Sequence, residues 1–93
     1  MTDQTFTSVW DAIEDTPDAA ENMKLRSRLM MAITETIHAN GWTQKTAAEH
    51  LAVTQPRISD LTRGRIDRFS LDTLVSMATA VGLHIELTVS RAA

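Results

Sequence analysis

The side chains best suited to chemical recognition lie between Thr54 and Arg68. This stretch contains one glutamine, three hydroxyl residues, two aspartates and four arginines. These groups can donate and accept hydrogen bonds in several directions, and the arginines keep their positive charge at any ordinary pH. The chemistry they offer is recognition of a polar partner, in which no covalent bond has to be broken.

A catalytic or metal-binding site has little support in the sequence. His38, His50 and His84 lie in different predicted elements, and there is neither a cysteine nor a glycine-rich phosphate loop to join them. Ser59 and Asp60 are adjacent, but nothing places a histidine beside them. We therefore expect a protein that is not an enzyme, with no catalytic residue, metal ion or cofactor.

Two short helices must position the recognition residues. Thr43 and Thr54 each stand where a helix N-cap is expected, ahead of residues with helical apolar spacing. The apolar positions that share one face of each helix are Ala47, Ala48, Leu51, Ile58 and Leu61. With only residues 52–54 between them, the two helices are typical of a helix-turn-helix, which inserts its second helix into the major groove of DNA.

The residues that would meet DNA follow from the helical rotation of about 100° per residue. The side pointing away from Ile58 and Leu61, together with the exposed start of the helix, supplies the expected base contacts, which are Thr54, Gln55, Pro56, Ser59, Asp60 and Arg63. Glutamine can pair with adenine, arginine with guanine, aspartate with cytosine, and threonine or proline can touch a thymine methyl. The expected phosphate contacts are Gln44, Lys45, Arg57, Arg65 and Arg68.

A dimer is expected because the segment predicted to bind DNA carries only a small net positive charge. Residues 55–68 carry four arginines and two aspartates, a net charge of +2, so a single copy should bind DNA weakly. The segment 84–90 alternates polar and apolar residues, with Ile85, Leu87 and Val89 on one side, which is typical of a strand. We expect this strand to pair with its copy across a two-fold axis, although a helical face is an alternative dimer interface.

Three further helices are predicted around the pair, over residues 8–15, 16–40 and 70–81. Each follows a serine or threonine cap, and Gly41 and Gly82 are the expected stops of the second and third. Their predicted apolar faces are Leu25, Leu29, Met30, Ile33 and Ile37 in one helix, and Leu71, Leu74, Val75, Ala78 and Val81 in the other. The predicted fold is mainly α, a compact helix-turn-helix bundle of about five helices with a C-terminal β-strand.

The bulk composition fits one small domain. The chain has 93 residues, of which 43% are hydrophobic and 23% charged. Without cysteine, disulfides are excluded. No apolar run is long enough to span a bilayer, and residues 1–21 lack the basic start of a signal peptide. We expect a soluble, cytoplasmic protein divided into an acidic segment (1–22), a helix-turn-helix domain (23–83) and a C-terminal strand and tail (84–93).

The charge is distributed unevenly along the chain. Residues 1–21 carry six acidic and no basic groups, whereas the rest carries nine basic and six acidic groups, a net of +3 against −3 for the whole. The acidic groups surround four apolar residues that are candidates for binding a protein partner, namely Phe6, Val9, Trp10 and Ile13. The alternative is that Trp10 packs on the protein's own core.

The helix pair resembles the DNA-binding motif of the XRE, or Cro/CI-type, regulators. The resemblance rests on the stretch 44–61 with a following "RG" pair, and on Ala48, Val53, Ile58 and Leu61. It implies a lambda-repressor-like fold over about residues 25–81. One departure is Ala52, where the family usually has glycine; if that position needs a left-handed backbone, alanine costs about 1 kcal/mol.

The flanking stretches "FTSVWDAIEDTPDAAENMKLRSRLM" and "SLDTLVSMATAVGLHIELTV" resemble the small HigA-type antitoxins of bacterial toxin–antitoxin operons. This resemblance implies a homodimeric repressor that binds a palindromic operator in double-stranded DNA, regulates its own operon and neutralises a RelE/ParE-like toxin. The main alternative is an XRE-family transcriptional regulator with no toxin partner. An adaptor that binds only protein, or a helical hairpin used only for packing, is a more distant one.

Overall fold

Four α-helices and a short 3-10 turn follow one another in the computed structural model, which describes residues 16–91. The elements are α1 Pro17–Ala39, α2 Gln44–Leu51, α3 Gln55–Thr62, the 3-10 turn Ile66–Arg68, and α4 Leu71–Ala80. The predicted mainly helical fold is confirmed. The helix predicted over residues 8–15 lies outside the described residues, so the described part has four α-helices where the whole chain was predicted to have about five.

Each helix begins at a hydroxyl side chain, as the sequence predicts. The Oγ atoms of Thr16, Thr43, Thr54 and Ser70 each accept a hydrogen bond from the backbone N–H three residues later, at 3.2, 3.1, 3.4 and 3.1 Å. These bonds satisfy one of the backbone donors that a helix start leaves without an intrahelical partner. Local sequence therefore determines where each helix begins.

All four α-helices described end with the same pattern of backbone hydrogen bonds. After α1, the N–H of Gly41 donates to the carbonyl of His38 and that of Trp42 to the carbonyl of Ile37, at 3.0 and 3.2 Å. The same pair of overlapping bonds closes α2, α3 and α4. It requires one residue with positive φ just past the helix, and this residue is glycine at three of the ends. At the end of α2 it is Ala52, with φ 57° and ψ 43°.

The core lies where α1 packs along α4 and contacts α3 and the 3-10 turn, while α2 contacts α3 and α4. Its most deeply buried large side chains are Ile33, Ile58, Leu61 and Leu74. Met30 and Ile37 of α1 are also buried, and Leu29 packs partly against the same cluster. The predicted apolar faces thus supply most of the core.

Two predicted core residues, Leu25 and Val75, are exposed instead. Successive four-residue steps rotate by about 40° around a helix, so Leu25 lies about 120° from Ile37 and has left the buried face. In α4 the buried face runs through Leu74, Met77 and Ala78, from which Val75 is turned by about 100°. Met77 takes its place in the core.

The loop after α3 contributes more to the core than its basic sequence suggests. Ile66 and Phe69 are both buried in the main cluster. The segment between them forms the 3-10 turn, closed by a hydrogen bond from the N–H of Phe69 to the carbonyl of Ile66 at 3.2 Å. Two apolar anchors therefore fix a loop that also carries arginines.

The strand predicted over residues 84–90 is not formed within residues 16–91. A strand needs backbone hydrogen bonds to a second extended segment, and the described part of this single chain offers none. Leu87 and Val89 are 72% and 81% exposed, so the apolar side of this segment is uncovered. No helix in residues 16–91 is both long and apolar enough to cross a membrane.

Candidate nucleic-acid interface

The helix pair α2–α3 is held together by a tight turn and by buried apolar side chains from both helices. The N–H of Val53 donates to the carbonyl of Ala48 at 3.0 Å, which folds the chain back at the end of α2. Ala47 and Ala48 are buried, and their small side chains leave room for α3 to approach. Ile58 and Leu61 are buried against the core, whereas Gln55 and Pro56 at the start of α3 are exposed.

The first turn of α3 is exposed to solvent. Thr54, Gln55 and Pro56 are all exposed, and Arg63 is exposed at the other end of the helix. Ser59 is only partly accessible on the same side, and its carbonyl accepts from the Thr62 hydroxyl at 3.3 Å. The predicted base contacts are thus exposed at the two ends of α3, while Ser59 and Asp60 between them are only partly exposed.

The start of α2 supplies a second exposed polar edge. Gln44 and Lys45 are exposed directly after the cap residue Thr43, whose hydroxyl donates to that of Thr46 at 3.1 Å. The first backbone N–H groups of a helix point outward from this end and favour an anion. The predicted phosphate-binding role of Gln44 and Lys45 stays a prediction, which their exposure permits.

The start of α2 is braced by a stacked pair of rings. The Trp42 and His50 rings lie 3.9 Å apart between centroids, with an angle of 6° between their planes. Trp42 also packs partly against the core, whereas His50 is exposed. The pair links the two ends of α2 and was not foreseen from the sequence, because it depends on how the turn before α2 folds.

Two of the predicted phosphate ligands, Arg65 and Arg68, share one carboxylate. Nε of Arg65 lies 3.8 Å from Oδ1 of Asp60, and Nη1 of Arg68 lies 3.4 Å from Oδ2. Both arginine side chains remain about half exposed. They can therefore reach an additional anion while they stay beside α3.

Arg57 is turned toward the protein itself. The sequence predicts a phosphate contact, whereas in this structure its guanidinium lies over the Phe69 ring, 4.2 Å from the centroid. Its Nη1 also donates to the carbonyl of Arg68 at 2.7 Å. Arg57 thus ties α3 to the loop through a cation–π contact and a charge-assisted hydrogen bond.

Arg26 of α1 is a residue that sequence reasoning missed. Its Nη1 donates to the carbonyls of Ile66 and Phe69 at 3.0 and 3.1 Å, and its Nε donates to Oδ1 of Asn22 at 2.6 Å. Arg26 of α1 therefore fixes the backbone of the basic loop that follows α3. Only the Asn22 contact, four residues away on one helix, has a signal in the sequence.

Two further sets of candidate residues were predicted from the sequence. The predicted protein-binding residues Phe6, Val9, Trp10 and Ile13 lie outside the described residues. The predicted dimer residues Ile85, Leu87 and Val89 are exposed in the C-terminal segment. Among residues 16–91, no cluster of histidine and acidic side chains could hold a metal ion.

At the start of α1, a hydrogen bond from Thr16 lowers the pKa of Asp18, with backbone hydrogen bonds acting in the same direction. Such bonds favour the charged carboxylate, which also suits the positive end of the helix. This group belongs to the capping of α1 and not to the polar surface of α2 and α3.

An exposed, hydrogen-bonding first turn on the second of two braced short helices is the arrangement of a helix-turn-helix. A family model described as a helix-turn-helix domain matches residues 12–90, and the chain therefore belongs to that family. The match indicates a DNA-binding regulator. The comparison with curated proteins gives no match.

Proposed function

We propose that this protein is a sequence-specific transcriptional repressor that binds a palindromic duplex as a homodimer. The observation that carries the proposal is the exposed first turn of α3, where Thr54, Gln55 and Pro56 project while Ile58 and Leu61 anchor the helix behind them. A helix held in this way can enter the major groove with its N-terminal residues against the base edges.

The residues divide by role according to the chemistry of their side chains. Gln55 would pair with adenine and Arg63 with guanine, while Pro56 would touch a thymine methyl. Phosphates on one side of the groove would be bound at the start of α2 by Gln44 and Lys45. Those on the other side would be bound by the arginines of the loop after α3.

The dimer is proposed from two observations. Residues 55–68, which include α3 and the loop after it, have a net charge of only +2. A single copy should therefore bind DNA weakly, and a second copy would raise the affinity. The C-terminal segment exposes Ile85, Leu87 and Val89, which a strand pairing across a two-fold axis would align with their copies. Such a dimer would present its two α3 helices about 34 Å apart, one turn of DNA.

Selection from a library of random duplexes tests this function. The protein should enrich a palindromic site whose half-sites are centred about one helical turn apart, at physiological salt. Enrichment of a single half-site would reject the dimer but keep the DNA-binding role. No enrichment over the starting library would reject sequence-specific binding.

Within this function, we propose that the protein is the antitoxin of a type II toxin–antitoxin system, acting in the cytoplasm on its own operon. The support is the resemblance of the flanking sequences to HigA-type antitoxins and the acidic segment 1–21, which carries six acidic and no basic groups. A RelE/ParE-like toxin that acts on RNA is expected to be basic. Opposite charge would then speed encounter, with Phe6 and Trp10 as apolar anchors.

The antitoxin role is tested with the small basic protein that an adjacent gene is expected to encode. Trp10→Ala and a chain lacking residues 1–14 should lose inhibition of that protein, while both stay folded and keep their affinity for the selected duplex. Loss of folding or of DNA binding at the same time would place the segment in the core instead. If intact protein does not inhibit or bind the neighbour, the alternative, an XRE-family regulator without a toxin, is favoured.

A further inference from the structure

Asp60, which is predicted to contact a base, is only partly exposed, as Ser59 is, whereas the other predicted base contacts are exposed. Its side chain is 18% exposed, against 43% for Arg65 and 51% for Arg68. The two arginines approach different oxygens of its carboxylate, Oδ1 and Oδ2. Asp60 thus lies under the two guanidinium groups and is less accessible to a base than they are to a phosphate.

The loop that carries these arginines is fixed from several directions. The N–H of Arg65 donates to the backbone carbonyl of Asp60 at 3.0 Å, which starts the loop directly under α3. On the inner side, Arg26 binds the carbonyls of Ile66 and Phe69. The backbone is therefore held by contacts that do not involve the Asp60 carboxylate, and the carboxylate is left to hold the outer arginine side chains.

We propose that Asp60 is a positioning residue, which holds the Arg65 and Arg68 guanidinium groups beside α3 so that both can bind the phosphates flanking the recognition site. The proposal rests on the DNA-binding function proposed above. A guanidinium has five N–H donors, so contact with one carboxylate oxygen leaves others for a phosphate. Arginine side chains that are already oriented lose less conformational freedom when DNA arrives.

The effect of removing this carboxylate separates positioning from simple charge. Asp60→Asn makes the surface more positive, and charge alone would tighten binding to any duplex. Positioning has the opposite consequence, because the arginines are released from their places beside α3. Asp67→Asn is the matched control, since Asp67 is an exposed carboxylate of the same loop that forms no ion pair within residues 16–91.

The first measurement is affinity for the selected duplex over a series of salt concentrations. We expect Asp60→Asn to weaken binding about tenfold, which corresponds to the removal of about one oriented charge-assisted hydrogen bond to DNA. It should also lower the slope of log K against log salt by about 1 for each phosphate that the arginines no longer bind. Asp67→Asn should leave the slope unchanged and the affinity equal or higher. Tighter binding by Asp60→Asn with an unchanged slope would overturn the proposal.

The second measurement repeats Asp60→Asn in a chain that also carries Arg65→Ala and Arg68→Ala. If Asp60 acts through the arginines, its replacement has no further effect in that background. An equal loss in both backgrounds would assign Asp60 a direct base contact and overturn the proposal. Thermal melts of each variant identify any loss of binding that comes from unfolding.

A third measurement needs no DNA and so separates this proposal from the function on which it rests. In the free protein, ¹⁵N relaxation of the Arg65 Nε–H should show a restrained side chain that becomes mobile in Asp60→Asn but not in Asp67→Asn. If no duplex is selected by the intact chain, the proposed function fails while this restraint can still be observed. An Arg65 Nε–H that is equally mobile in all three proteins would refute positioning itself.

Discussion

Ala52→Gly is expected to stabilise the protein, because Ala52 is the one non-glycine residue with positive φ in residues 16–91. A left-handed backbone places Cβ too close to the following carbonyl, at a cost of about 1–2 kcal/mol for an L-residue. Glycine avoids this cost, but it gives the unfolded chain more conformational freedom, which destabilises the folded state by about 0.4–1 kcal/mol. Ala52 is exposed, so its methyl group contributes little packing. The expected net gain is about 0.5–1 kcal/mol in the free energy of unfolding.

The assay is unfolding followed by circular dichroism, with denaturant for the free energy and heat for the midpoint. For a domain of this size, the expected gain corresponds to a rise in Tm of about 2–8 °C. Affinity for the selected duplex should stay the same, because the backbone already has the required geometry and the residue lies in the turn between α2 and α3.

Gly41→Ala is the matched control, since it makes the reverse change at a helix end of the same kind. Gly41 has φ 66°, and a Cβ added there would meet no atom within 4 Å, so only the backbone conformation opposes it. We expect a loss of about 1 kcal/mol. The reasoning is refuted if Ala52→Gly is neutral or destabilising while Gly41→Ala is tolerated without loss.

Three further outcomes are expected. Deleting residues 84–93 should yield monomers with poor operator binding, and a truncated chain that still sediments as a dimer would place the interface elsewhere. Arg65→Ala should weaken binding to all duplexes and lower the salt slope by about 1, whereas the exposed Arg28, outside the helix-turn-helix, should tolerate alanine without either change. Thr16→Ala should raise the pKa of Asp18 toward its ordinary value in an NMR titration, because it removes the hydrogen bond that lowers this pKa most. Because the pKa of Asp18 is lower in the folded state, the charged carboxylate stabilises the fold at a pH above its unfolded-state pKa. This stabilisation is lost as the pH falls through the folded-state pKa, and the amount lost should be smaller in Thr16→Ala.

The helix boundaries could be predicted because they depend on local chemistry. A hydroxyl cap needs only its own backbone neighbours, and Thr16, Thr43, Thr54 and Ser70 all cap as predicted. The core faces were predicted less well, because helical rotation turns Leu25 and Val75 away from the buried sides of their helices. The predicted C-terminal strand depends on hydrogen bonds to a second segment, which a single sequence cannot locate.

The candidate interface could likewise be predicted from the sequence where it depends on local geometry, but not where it depends on contacts between distant residues. The exposure of Gln55 follows from its place in the first turn of α3, ahead of the core residue Ile58. The contacts of Arg26 and Arg57 with the loop could not be predicted, because they join residues that are 11 to 43 positions apart. Long, flexible arginine side chains have many possible partners, and only the folded structure selects among them.

The central claim, that the first turn of α3 reads DNA sequence, is tested most directly by Gln55→Ala. Competition titrations against variants of the selected duplex should show a loss of about 1–3 kcal/mol at the specific site, together with relaxed base preference at one position in each half-site. Ser76→Ala, an exposed polar change on α4 outside the helix pair, should alter neither quantity. If Gln55→Ala leaves both the affinity and the base preference unchanged, α3 is not the recognition helix.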